Sequence, residues 1–327
     1  MNDNKISKNS IVAKFAVPIS FLILFFLAAN FTDCDLVTFW KRRNHLTDLV
    51  VDMIPPDFSY IQKILLPLFY TIQMSVTGTV LGIFFALVLS PFGAANLGFP
   101  AVIRRILRIV IQILRSFPAL ILALTATFLF GLGTFAGTFA ITLYTFAIMT
   151  KLTYEDASAA DVKAYQALRA MGVSKYVAYI HGILPEIIPG FLTNALYLLE
   201  TNVRHSSILG YVGAGGIGLL LNEKISWLEY DKVGTILLML FLTVCVIEYF
   251  SRYLAALIRK ERTIKKEQAR LLLLFLAALF LICTFTLSLP DFSRTSPQTL
   301  RNMFAGFLQP DWSFFFSAEK DGLGYLL

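Results

Sequence analysis

Charge is what this sequence has least of. Only 15% of its 327 residues are Asp, Glu, Lys or Arg, against 57% hydrophobic, whereas soluble domains carry about 25% charged residues. Too little charge remains to cover a water-facing surface. Cysteine and histidine are also scarce, three of each. Cys34, Cys245 and Cys283 form no C-x-x-C pair, and two of them fall inside apolar runs, so neither a disulfide framework nor a metal site is expected. H-E-x-x-H and paired Cys/His patterns are missing, which leaves a membrane enzyme without a catalytic set. G-x-x-x-x-G-K-[ST] is missing too, so the chain is not expected to bind ATP itself, and no cofactor is called for.

Long apolar sequence is abundant. Several runs reach the roughly 20 residues needed to cross about 30 Å of hydrocarbon. Seven spans are expected, at about 15–31, 65–89, 116–133, 135–151, 187–203, 232–256 and 271–289. The fold class is therefore all-α: a polytopic helical protein in a lipid bilayer. The net charge of +7 lies mostly in the loops between these runs, where it sets topology rather than binding nucleic acid. With the N-terminus inside, segments 1–14, 90–115, 151–186 and 252–270 hold 3, 4, 4 and 7 of the Lys and Arg residues, 18 of 28. That bias has the sign of the positive-inside rule. The outer 32–63 loop works against it with Lys41, Arg42 and Arg43. Lys5, Lys8 and Lys14 precede the first run, and no strong small-x-small site follows, although Ala28 and Ala29 come near. An uncleaved anchor is preferred to a signal peptide.

An internal repeat sets the domain plan. Residues 21–59 align without gaps to 275–313 at an offset of 254, with ten identities, among them Phe31/Phe285 and Thr32/Thr286. Phe and Leu matches within apolar runs are cheap, but Pro56-Asp57-Phe58-Ser59 against Pro310-Asp311-Trp312-Ser313 is harder to obtain by chance. A unit of about 250 residues followed by the start of a second copy is expected. Its parts are an N-terminal span and outer loop over 1–63, a transmembrane domain over 64–260, and a basic linker with a seventh span over 261–327. The transport unit, about 60–258, would then not depend on the tail.

The inside segment 153–185 carries the most information. Thr153-x-x-Asp156 reads as a helix start, Ala157 to Met171 is rich in helix formers, and Gly172 fits a helix stop. Ser174 can cap a second helix to about Gly182, and Pro185 and Pro189 lead into the next span. On shape alone this is either an ordinary loop with two short helices or a compact surface offered to a partner. Gln166-Ala167-Leu168, Gly172, Leu184 and Pro185 resemble the coupling motif of ABC importer permeases, which reads Glu-Ala-Ala, three residues, Gly, nine residues, Ile, one residue, Leu-Pro. The sequence departs from it at Gln166 for Glu, Leu168 for Ala and Gly182 for Ile. The blocks Gly182 to Phe191, Glu200 to Arg204, Leu209 to Gly218 and Tyr230-Asp231 are similar to the phosphonate-transporter permeases, a resemblance covering about 60–258. It implies a type I importer (MetI-like) transmembrane domain with about six core helices plus one further C-terminal span. It also implies a homodimer of permeases, two ABC ATPase subunits, an extracytoplasmic solute-binding protein, location in the bacterial inner membrane, and phosphonate or a related phosphorus oxyanion as cargo.

Two further features bear on the pathway. Gly213, Gly215, Gly216 and Gly218 lie in a stretch that satisfies G-x-G-x-x-G. No strand of a βαβ unit precedes it, so a dinucleotide site fails on context. Either a pore-lining turn within the membrane or a simple outer loop would use such glycines. Glu200 and Arg204 are i,i+4 at the end of the fifth span, near Asn202 and Ser206. They are either a self-contained ion pair or part of a pathway in which a guanidinium meets an oxyanion. A secondary transporter or channel that uses no ATPase is the rival function.

Overall fold

The computed structural model describes residues 16, 18–29, 40–259, 266–288 and 305, and all regular structure among them is helical. It divides into two compact units, Met1–Pro55 and Pro56–Leu327. The first holds α1 (Pro18–Ala29), an apolar helix, and α2 (Arg43–Asp52).

The second unit begins with α3 (Ile61–Gly93). The Asp57 carboxylate accepts the Ser59 N–H at 2.9 Å and the Ser59 hydroxyl at 2.6 Å, capping a 3-10 turn, Phe58–Tyr60, that feeds into α3. The repeated Pro-Asp-aromatic-Ser block is thus a helix-start signal; its second occurrence, 310–313, lies outside the described residues, as does the basic stretch 260–265. Helices α4 (Ala101–Ser116) and α5 (Ala119–Phe130) follow, and they meet at 94°. Pro118 explains the break: it has no N–H to donate and holds Phe117 in the extended region. The expected 116–133 span therefore starts at Ala119, and part of the expected 90–115 loop is a 16-residue amphipathic helix.

Next come α6 (Thr134–Ala159), α7 (Lys163–Ala170), α8 (Lys175–Gly182) and α9 (Leu184–Leu209). A 3-10 turn, Gly210–Val212, and a glycine loop lead to α10 (Ile217–Ser226) and α11 (Tyr230–Ile258), and α12 (Lys266–Phe285) follows. Among the described residues four helices are long and apolar enough to cross a membrane, and six if each bent pair counts as one span. The helix start expected at Thr153 is not there. Helix-forming residues carry α6 on to Ala159, with the Thr153 hydroxyl donating back to the Met149 carbonyl at 2.6 Å. The new helix starts where Asp161 accepts the Lys163 N–H at 3.0 Å.

Helices α3 and α6 run parallel and form the centre. A Cβ on Gly78 would lie 2.8 Å from that of Ile141, and one on Gly82 2.7 Å from that of Thr145. Lipid offers no hydrophobic drive for helix association, so small residues that let backbones approach are the natural cement. Helix α9 packs antiparallel against this pair, through hydroxyls and one amide described below.

Candidate functional site

At one end of the bundle α7 and α8 form a helical hairpin. Gly172 sits between them at φ +85°, and two hydrogen bonds close the end of α7 around it. Gly172 N–H reaches the Arg169 carbonyl at 3.1 Å and Val173 N–H reaches the Leu168 carbonyl at 3.2 Å. This is a Schellman closure, with glycine at the one residue that must be left-handed. Ser174 caps α8 by accepting the Val177 N–H at 3.4 Å. Gln166 and Ala167 face outward, Leu168 and Leu184 are half-buried, and Pro185 lies exposed in the first turn of α9.

The hairpin is pinned from beneath. Tyr165 is buried, and its hydroxyl donates to the Leu97 carbonyl at 2.7 Å; burial raises its pKa above the usual tyrosine value, with Arg169 pulling weakly the other way. Tyr165, Leu97, Tyr154, Tyr179, Ile183 and Ile187 share one apolar cluster. Gly182 crosses α7 so closely that a Cβ would stand 2.8 Å from the Tyr165 nitrogen. The departure from the coupling motif at Gly182 thus has a cause: α8 crosses the α7 backbone at that residue.

The glycine loop is largely buried, with Gly213 half-buried. Ala214 to Gly218 are inaccessible to solvent. Gly213, Gly215 and Gly216 all have positive φ, between +72° and +86°. Gly133 N–H donates to the Gly213 carbonyl at 3.0 Å, and Gly216 faces Thr71 and Met74 of α3. A Cβ on Gly218 would meet the Ser207 carbonyl oxygen at 1.8 Å, so α10 turns back directly against α9. The loop packs beside α3 about 15 Å from that helix's start, and irregular backbone within a bilayer would need an enclosure of this kind.

The site residues expected on α9 fall into two groups. Asn202 and Ser206 point into the bundle: the Asn202 amide donates to Thr79 and Thr145, each at 2.8 Å, and the Ser206 hydroxyl lies 2.5 Å from that of Ser75. Thr71 continues this line by accepting the Ile217 N–H at 2.8 Å, satisfying the first amide of α10. Glu200 and Arg204 form an ion pair, with the Arg204 side chain half exposed. The sequence reading missed Thr71, Ser75, Thr79 and Thr145. The signal was there: hydroxyls at i, i+4 and i+8 within an apolar run of α3 mark one helix face.

It also missed Lys224, a lysine only 5% exposed. Its ammonium lies 3.0 Å from Glu223 and 3.0 Å from Glu229, and over the rings of Trp227 and Tyr60 at 4.3 and 5.5 Å. Burial alone would lower its pKa, but the two carboxylates overcome that and raise it. Glu229 is held below the ordinary glutamate value by hydrogen bonds from Lys232 and Lys224. The cluster ties α10 to the start of α3 and the start of α11.

Residues 78–264 match the family described as the binding-protein-dependent transport system inner membrane component. The chain belongs to that family. The permease is similar to the phosphite transport system permease protein of Stutzerimonas stutzeri, at 31% identity over 217 residues, 66% of this chain and 79% of that one. It is similar to the phosphate-import permease protein of Mycolicibacterium smegmatis, at 32% over 203 residues, 62% of this chain and 38% of that one. A putative cryptic phosphonate transport system permease protein of Escherichia coli is 30% identical over 115 residues, 35% of this chain and 94% of that one. An inward-facing structure of the MetNI methionine ABC transporter has a TM-score of 0.55 at 21% identity, covering 62% of this chain and 99% of that one; at that identity the likeness speaks to the fold, a MetI-like permease domain. The permease is a multi-pass inner-membrane subunit rather than an enzyme. Its family works with a binding protein and with an ATPase on a separate chain.

Proposed function

We propose that the permease forms the translocation pathway for a phosphorus oxyanion, phosphonate or a close relative such as phosphite, as a homodimer energised through its α7–α8 hairpin. The observation that carries the cargo class is that the relatives reported above are named for phosphite, phosphate and phosphonate. The hairpin supports the coupling role. Gln166 and Ala167 are offered outward on a helix whose position is fixed by Tyr165 and whose end is fixed by Gly172. The N-terminus and the hairpin are then cytoplasmic, in keeping with the Lys/Arg count.

In this reading the glycine loop is the pathway element, supported by Gly213, Gly215, Gly216 and Gly218 and clamped by Thr71 and Gly133. Arg204, half exposed on the face of α9 away from Asn202, is the guanidinium that an oxyanion would meet. Asn202 and Ser206 hold α9 in place rather than touch cargo. The test is uptake of labelled phosphite in cells that carry the permease with its ATPase and binding protein, in competition with unlabelled methylphosphonate, phosphate and sulfate. Competition by the phosphorus compounds but not by sulfate is expected. Equal competition by sulfate contradicts the cargo class.

A further inference from the structure

Gln73 is a primary amide within a membrane-spanning helix, and it is fully buried. What covers it is α12. The Gln73 amide nitrogen donates to the Cys283 carbonyl at 3.0 Å and to the Thr286 hydroxyl at 2.8 Å. A second polar contact lies beside it, with the Thr134 hydroxyl 3.0 Å from that of Ser288. Cys283 is itself fully buried, while Leu271, Leu274, Phe275 and Ile282 are all more than half exposed. So α12 is held at its C-terminal end by polar bonds, and its apolar length makes little contact. In lipid that distribution matters, because leucine gains nothing by moving from acyl chains to a helix face, while an amide gains a partner it cannot find in hydrocarbon.

The identity of the docked helix comes from the sequence. Helix α12 is the segment that repeats the first span at an offset of 254. The repeat keeps a threonine at the docking position, Thr286 against Thr32, next to Phe285 against Phe31. Position 32 lies outside the described residues. The acceptor that Gln73 uses is therefore one of the residues in which the two copies agree.

We propose that the α3 face around Gln73 is a docking site for the first helix of the following transport unit, with Thr286 as the residue by which that helix is recognised. Residues 266–288 are then part of the working bundle. On this reading the transport unit depends on its tail, because removing α12 takes away both partners of the Gln73 amide nitrogen. The inference does not depend on what the permease carries.

The test uses the full chain in native membranes, with Cys34, Cys245 and Cys283 replaced by alanine and cysteines placed by Thr134→Cys and Ser288→Cys. The Cys283 acceptor is a backbone carbonyl and survives that change. Oxidation with copper phenanthroline is expected to form a disulfide within one chain, seen as a monomer of altered mobility. Adding Gln73→Leu, a substitution that lipid accommodates, is expected to lower the docked-to-undocked ratio about fivefold, from the loss of two intramembrane hydrogen bonds. Thr286→Val removes one bond from the α12 side and is expected to lower the ratio about twofold; it serves if the Gln73→Leu chain fails to accumulate. No disulfide, a disulfide that joins two chains, or a yield unchanged by both substitutions overturns the proposal.

Discussion

The Tyr165 hydroxyl donates to the Leu97 carbonyl at 2.7 Å, while the backbone of the same residue lies directly under Gly182. One residue thereby fixes both where the α7–α8 hairpin stands on the bundle, through its side chain, and how closely the two helices cross, through its backbone. Tyr165→Phe removes the hydrogen bond from a buried carbonyl and should cost about 1 kcal/mol. Gly182→Ile, which restores the residue of the coupling motif, should be worse, at about 1–3 kcal/mol of overpacking. Thermal midpoints of the purified permease and its two variants check the order.

Gly172→Val forces a β-branched residue to φ +85°, at a cost of roughly 1–2 kcal/mol or more, and opens the Schellman closure. The variant should insert in the membrane at normal levels and lose copurification with the ATPase. Gly172→Ala should lose less. Normal copurification of the valine variant would remove the hairpin from the coupling role.

The glycine loop makes a sharp contrast available. Gly218→Ala places a methyl group 1.8 Å from the Ser207 carbonyl oxygen, whereas Gly190, also on a helix, has nothing within 4 Å and no positive φ. Uptake should be abolished by Gly218→Ala and unchanged by Gly190→Ala, each at matched membrane levels. Equal effects would mean that the close approach of α10 to α9 has no bearing on transport.

The helical spans and the hairpin glycine were legible in the sequence because length of apolar run and a lone stop residue are local signals. Pro118 is equally visible as a break, but α4, with Arg104, Arg105, Arg108 and Arg115 spaced along it, offers no long apolar run to set it apart from a basic loop. The hydroxyl line through Thr71, Ser75 and Thr79 was legible only as a spacing. Its meaning depends on α9 lying across it, and no local pattern states which helix will be the neighbour. Lys224 was hidden for the same reason. Its partners Glu223, Trp227 and Glu229 are near in sequence, but the Tyr60 ring that also lies against it is more than 160 residues away. For Asn202 the residue was picked out and the face was not: nothing in the sequence separated its direction from that of Arg204.

The Lys224 cluster predicts a pH response with a definite sign. Glu229 has a folded pKa below the ordinary 4.5, so its contribution is fully present above that value and is lost as pH falls through the lower folded one. Lys224 is raised above the ordinary 10.5, so its contribution is fully present below 10.5 and is lost only on the alkaline side. The difference in thermal midpoint between the permease and Glu229→Gln should be larger at about pH 7 than at about pH 3.5, below the ordinary 4.5 at which the unfolded chain's carboxylate takes up its proton. A difference that grows on acidification would contradict the assignment.

The central claim is that this permease moves a phosphorus oxyanion only when an ATPase drives it. Its most direct test is accumulation of labelled phosphite by sealed vesicles that contain the permease, its ATPase and its binding protein, measured with ATP, without ATP, and without the ATPase subunit. The account predicts concentrative uptake in the first case and none in the other two. Equal accumulation with the ATPase omitted would contradict it and would make the chain a carrier or channel in its own right.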